Sequence, residues 1–435
     1  MAEADDHNDD EQKPENPFSG TPMEQMFAAF TGGSAQMPDI NALMGQMQRM
    51  FEPHEGTIDL NVVKDVARHA LAAAGDDPFP NSSQSGAVSD AVRLAELWLD
   101  EATDVPAGAT TSAAWSRAEW IESTAQTWHQ LVEPIAKHVV SAMGEAVPEE
   151  AQAMAGPILG IISQASGAMF SQQVGQALGE LAGEVMSSTD VGLPLGPTGV
   201  AAVLPAGVAQ FGEGLEHSAA DVMLYVTLRE CAHHRLFNHA GWLRPRLISS
   251  IEEFGSGTTI DVSAIESQLQ MIDPTRPEEI QEALAGGLFE PQRTQAQQAA
   301  LDRLETLLAL IEGWVDEVVA QATAERMPAA SSLAEAMRRR RGAGGPAEQT
   351  FASLVGLELR PRRLREASNL WAALRDRQGS TARDAVWAHP DLMPTAADLE
   401  DPMGFAASEA PEGSIVNAEF DAALDALLDK EPPPE

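Results

Sequence analysis

The sequence predicts a mainly α-helical protein with a small β-sheet, on three observations. Long stretches repeat apolar residues every three or four positions, the period of a helix with one buried face. Only Val200 to Leu204, ahead of Pro205, has the short, turn-bounded apolar run of a strand. Hydrophobic residues make up 44% of the 435, enough to give such helices a core to bury against.

Taken in order, residues 1 to 55 are expected to form a disordered arm. Its start is acidic, from Glu3 through Glu15. A methionine-rich run follows, in which Met44, Met47 and Phe51 would share one helix face. Residues 56 to 155 read as a helical N-terminal region. Val62 to Ala74 and Val88 to Glu101 have helical spacing, and Trp115, Trp120 and Trp128 fall in a third helix as core aromatics. Residues 156 to 327 are the expected core domain. Its first helix, Ile158 to Met186, carries Gly175, Gly179 and Gly183 at four-residue intervals, which strips one face for close helix packing.

The run Val191 to Pro197 then breaks the helical pattern ahead of the strand. A helix from Ala220 to Asn238 is stopped by Gly241, and Pro245 opens the next, which runs to Phe254. A short helix is expected from Gln281 to Leu288. Thr294 with Gln297 makes a capping box for a long helix striped by Leu301, Leu304, Leu308, Ile311, Val315 and Val318. Residues 328 to 346 read as a basic loop holding Arg338-Arg339-Arg340-Arg341, arginines expected to find carboxylates within the protein or a subunit partner. A C-terminal helical segment is expected from 347 to 395. An acidic, mostly disordered tail from 396 to 435 completes the order, with a short helix from Glu419 to Leu428.

Charge narrows the function classes. A formal net charge of −39 makes nucleic acid and anionic membrane surfaces poor partners, because phosphate binding needs a positive field. A protein or peptide partner is the expectation. The stretch Ala155 to Ala177 is too interrupted by glutamines and serines for a membrane span. Cys231 is the single cysteine, so no intramolecular disulfide can form. With no signal peptide readable, a cytoplasmic location is expected.

Chemistry concentrates in Arg229-Glu230-Cys231-Ala232-His233, an HExxH pattern with one residue changed. In that pattern two histidines four apart on one helix face hold Zn²⁺, and the Glu polarises the metal-bound water. Here Glu230 and His233 are in register, but Arg229 has no lone pair to give a metal. A later helix would have to supply a Glu as third ligand. Glu312 flanks the apolar stripe of its helix, with Asp316 one turn on to orient a ligand from the second shell; Glu305 ranks below it.

These segments carry a specific likeness. Tyr225 to Phe237, Gly241-Trp242-Leu243-Arg244, Gly287-Leu288-Phe289-Glu290-Pro291 and Leu310-Ile311-Glu312-Gly313-Trp314 resemble the actinobacterial zincin-like family often labelled zinc-dependent metalloprotease. One branch of that family is associated with deazaflavin-coenzyme biosynthesis. The resemblance covers about residues 160 to 395. It implies a zincin-like metallopeptidase fold with additional N-terminal helices, and a zinc site of two His and one Glu. By position, His233 would be the second His ligand, Glu312 the third ligand and Glu230 the general base. Two residues depart from the pattern. Arg229 stands at the first ligand position, and Trp314 stands where the coenzyme-associated branch is expected to have a polar residue.

Two readings follow. In one, zinc binds through His233, Glu312 and a substitute such as His234, His239 or Cys231, although His234 is turned about 100° from His233 on an ideal helix. In the other, the Arg229 guanidinium replaces the metal and pairs with Glu312 and with Glu230. The function expected is that of a metallopeptidase-family protein with a degenerate site, acting as a non-catalytic binding or regulatory protein. The alternative is an active zinc-dependent peptidase with Glu230 as its base. A third class, a scaffold that recruits partners through the methionine-rich arm and acidic tail, is compatible with the first.

Overall fold

A computed structural model of the chain describes residues 56–145, 149–256, 294–342 and 363–407, all within one compact unit spanning His54–Glu435. It is mainly α-helical with one small sheet. α1 (Leu60–Ala74) opens at Asp59, whose side chain accepts from the Asn61 and Val62 amides and so satisfies two orphan donors. α2 (Ser82–Leu99) opens with a reciprocal capping box between Asn81 and Gln84. β1 (Thr111–Ala114) follows, then α3 (Arg117–Glu145) and α4 (Glu149–Ala182).

The glycine spacing on α4 meets α1 as expected. A Cβ at Gly175 would lie 2.7 Å from the Val63 carbonyl, and one at Gly179 would lie 2.7 Å from the Ala67 carbonyl. Gly183 meets only its own Glu180 carbonyl, so two of the three residues make the close approach. α4 begins at Glu149, so the boundary expected between residues 155 and 156 falls inside a helix.

β2 (Val200–Val203) lies where the apolar run placed it and pairs in parallel with β1, Thr111 opposite Val200 and Ala114 opposite Val203. β1 has no strand signal in the sequence. Thr-Ser-Ala-Ala has low β-propensity, and its conformation comes from pairing with β2. Trp115, expected inside the third helix, sits between β1 and α3 and donates its amide to the Val203 carbonyl at 3.0 Å.

α5 (Pro205–Gly212) starts on Pro205, and α6 (Ala219–His239) is the motif helix. α7 (Leu243–Ser256) and α8 (Gln295–Thr323) pack together beside it. α8 opens on the Thr294–Gln297 capping box. The region 328–346, expected as a loop, contains a helix, α9 (Ala330–Gly342). Arginine is a good helix former, and the run sits in the last turn, where cations complement the helix dipole. α10 (Leu364–Gln378) packs on α8 at Gly313, where a Cβ would meet the Ala367 side chain at 2.6 Å.

α11 (Ser380–Ala385) leads through two 3₁₀ turns to α12 (Ala396–Glu400) and α13 (Pro402–Ala407). The start of the tail expected to be disordered is therefore helical, because α13 packs on α10 and buries Ala406. The arm 1–55, the short helix at 281–288, the Gly287–Pro291 segment and the tail helix at 419–428 lie outside the described residues. No helix among those described is long and apolar enough to cross a membrane.

Candidate functional site

The site is built where α6, α8 and α9 meet the loop that precedes β2. Ser218 caps α6 by accepting from the Asp221 amide at 3.1 Å, and every residue from Tyr225 to Leu236 is buried. A helix buried on all sides along such a stretch must pair its charges within the protein. The motif helix does so in three places: Arg235 pairs with Glu96 and Asp100 at the end of α2, and two further clusters make the site.

The first joins Arg229 to α8. Its guanidinium donates to Glu312 Oε2 at 2.6 Å through Nη2 and to Asp316 Oδ1 through Nη1. Arg341, from the end of α9, also contacts Glu312 Oε2 and donates to the Asp190 carbonyl at 2.9 Å. Arg338 stands 3.6 Å from Asp316 Oδ2. His233 lies beneath. Its Nδ1 is 2.9 Å from the Arg229 carbonyl oxygen and its Nε2 is 3.1 Å from Glu312 Oε1. Both ring nitrogens thus lie within hydrogen-bond distance of an oxygen. Arg229 is 4% exposed, His233 1% and Glu312 2%.

Burial alone would push the Glu312 carboxyl up, but Arg341, His233 and Arg229 hold it well below the usual carboxylate range. Burial likewise works against the Arg229 charge, and Asp316 and Glu312 more than reverse it. Gly192 (φ +77°) closes the far side, where a Cβ would lie 2.7 Å from Glu312 Oε1. Gly192→Ala is expected to cost about 2 kcal/mol through backbone strain and displacement of Glu312. Thermal melting of the variant measures it, and an unchanged transition would show that the loop yields freely.

The second cluster surrounds Glu230. Oε1 accepts from Ser188 Oγ at 2.5 Å and the Ala202 amide at 3.2 Å, and lies 3.1 Å from His234 Nε2. Oε2 accepts from the Thr189 amide at 3.0 Å and Thr189 Oγ1 at 2.5 Å. Burial would raise this carboxyl, yet the hydrogen bond and charge of His234, with the Ser188 and Thr189 bonds, bring it down to about 2. The loop is held to β2 by the Ser188 amide on the Ala202 carbonyl at 2.9 Å. Glu230 therefore ties the motif helix to the sheet.

The structure brings Arg229, His233, Glu312 and Asp316 together, as the sequence indicated, and corrects three details. Arg229 pairs with Glu312 and Asp316, not with Glu230, which faces the loop and β2. His234 turns its Nε2 to Glu230, consistent with its rotation about the helix. His239 is exposed in the last turn of α6. Cys231 is fully buried and its thiol is raised well above its ordinary value, chiefly by burial. Glu305 stays half-buried two turns before Glu312.

Sequence reasoning did not assign Arg341, Ser188, Thr189 or Gly192 to the site. The arginine run was visible, but only the fold shows which carboxylates it meets.

A buried HExxH-like helix facing a carboxylate-bearing helix, with a small sheet alongside, defines a zincin-type domain. The chain belongs to the zincin-like metallopeptidase family, whose model matches residues 58–406. A crystal structure of a candidate hydrolase with a novel fold from Chloroflexus aurantiacus is similar at 19% identity and a TM-score of 0.57, covering 80% of this chain and 97% of that one. At that identity the likeness is one of fold. No curated protein sequence matches the chain.

Such a family implies zinc, and the donors here do not fit it. Among the described residues no group of three or more His, Cys, Asp or Glu side chains is arranged to hold a metal ion. Guanidiniums meet Glu312 Oε2, His233 takes Oε1, and a guanidinium occupies the first ligand position. Zinc needs lone pairs at the points where this cluster presents N–H donors.

Proposed function

We propose that this chain is a zincin-like metallopeptidase-family protein with a degenerate metal site, a non-catalytic binding or regulatory protein. The observation that carries this reading is Arg229, whose guanidinium bridges Glu312 and Asp316 at the first ligand position. A bidentate guanidinium between carboxylates does electrostatically what a cation would do there, and it fixes the two helices without supplying a Lewis acid. Glu230 supports the same reading. A general base needs an oxygen free for a water, and both of its oxygens are already taken by five donors.

An active zinc peptidase finds less support, because His234 is engaged by Glu230 and His239 is exposed. We place the chain near the actinobacterial, deazaflavin-associated branch on the motif-helix likeness. Trp314 departs from that branch. It is a core residue that donates to Asp384 at 2.9 Å and packs edge-on against Trp387. The partner class we favour is protein or peptide, with the net charge of −39 set against nucleic acid and anionic membranes.

The test is peptide hydrolysis by the native protein with zinc added, and with a chelator. No chelator-sensitive cleavage is expected, and zinc-dependent turnover abolished by Glu230→Gln would overturn the reading.

A further inference from the structure

We infer that α9 closes the former metal position a second time, independently of Arg229. The observation is the convergence on one oxygen. Glu312 Oε2, the atom that Arg229 holds from α6, is also met by Arg341 from the last turn of α9. The two guanidiniums reach it from different helices, and neither needs the other for its place. Arg229 is held by Asp316 as well. Arg341 is held by the Asp190 carbonyl, and its neighbour Arg340 grips the Asp190 carboxylate at 3.0 and 3.2 Å and the Glu184 carbonyl at 2.7 Å. α9 is itself anchored by the buried Leu333 and Met337. Together the pair places two positive charges where the family would have a divalent ion.

This goes deeper than the proposed function and rests on it. If Arg229 were the whole substitution, R229H would restore the missing imidazole and complete a ligand set with His233 and Glu312. The structure leaves the Arg341 guanidinium in contact with the Glu312 carboxylate in that variant, so the ion would meet a fixed like charge beside its ligand. Arg341 must also lose its charge before zinc can be held tightly.

The test compares full-length R229H, R341Q, R229H/R341Q, R229H/R341K and R229H/R339Q, titrated with zinc alone and read by bound stoichiometry. Arg339 is exposed in the same run, so its variant controls for net charge. R229H/R341Q is expected to take one zinc. R229H, R229H/R341K and R229H/R339Q are expected to bind at least about a hundredfold more weakly, the effect of one poorly screened like charge beside the ion. R341Q alone, which keeps Arg229, is expected to take none.

Losing both cations can weaken the apo fold, so each variant is also read by its zinc-induced rise in melting temperature, which a metal-dependent fold still shows. R229H binding as tightly as R229H/R341Q in both readouts would overturn the inference, as would an equal gain from R339Q. A native chain carrying one zinc would instead overturn the proposed function on which it rests.

Discussion

Arg229→Ala is expected to lower the stability of the folded protein by about 3 kcal/mol. Breaking a buried ion pair from one side leaves a carboxylate without its counter-charge, at a cost of about 3–5 kcal/mol, against about 0–1 kcal/mol for an exposed pair. The low end applies, because Arg341 still contacts Glu312 and Arg338 still stands 3.6 Å from Asp316 Oδ2. Asp316 Oδ1 loses the guanidinium that binds it, and that carboxylate carries most of the loss. Arg229→Lys is expected to recover only part, since one ammonium cannot bridge two carboxylates as a planar fork does. Neutralising the carboxylate left without its donor, with Asp316→Asn, is expected to restore much of the stability lost in Arg229→Ala, whereas Glu312→Gln is not, because Arg341 still pairs with Glu312. Urea unfolding followed by tryptophan fluorescence reads all of these. An Arg229→Ala protein as stable as the native one would remove Arg229 from the role of a metal surrogate.

Glu230→Gln has the second large effect, also about 3 kcal/mol, and it appears in stability before any activity is measured. Glutamine keeps the shape but turns one acceptor into a donor. It would then face the Thr189 amide and hydroxyl, or the Ala202 amide, the Ser188 hydroxyl and His234. Linkage has the same sign, because His234, Ser188 and Thr189 bring the folded carboxyl down to about 2 from an ordinary 4.5. Its pKa is depressed on folding, so this stability is present above pH 4.5 and is lost as pH falls from there through about 2. Glu312, also held low, contributes with the same sign. The native protein is therefore expected to lose stability steeply below pH 4.5, and Glu230→Gln to flatten part of that fall without abolishing it. A pH series of unfolding curves decides the point; parallel native and variant profiles would show that Glu230 carries no folding-linked charge.

Much of the fold could be read from the sequence because its helices are long and amphipathic. The Thr294–Gln297 box, the Gly175 and Gly179 contacts and the Val200–Val203 strand each follow from local chemistry. β1 could not be read, since Thr111 to Ala114 become a strand only by pairing with residues some ninety positions later. The site divides in the same way. Arg229, His233, Glu312 and Asp316 were legible from helical spacing on two helices. The partners of Glu230 were not, because Ser188 and Thr189 lie in an irregular loop whose direction depends on β2. Nor was Arg341 legible as a partner of Glu312. Its charge was visible, but a run of arginines carries no sign of which carboxylate it will meet, and three acidic residues from distant segments converge on it and its neighbours.

The central claim is that guanidiniums stand where this family's metal would be. The most direct test is elemental analysis of the native full-length protein after exposure to excess zinc and removal of the unbound ion. The account predicts a zinc content far below one per chain, with an unchanged melting temperature. One tightly held zinc per chain, released by a chelator with loss of stability, would contradict it.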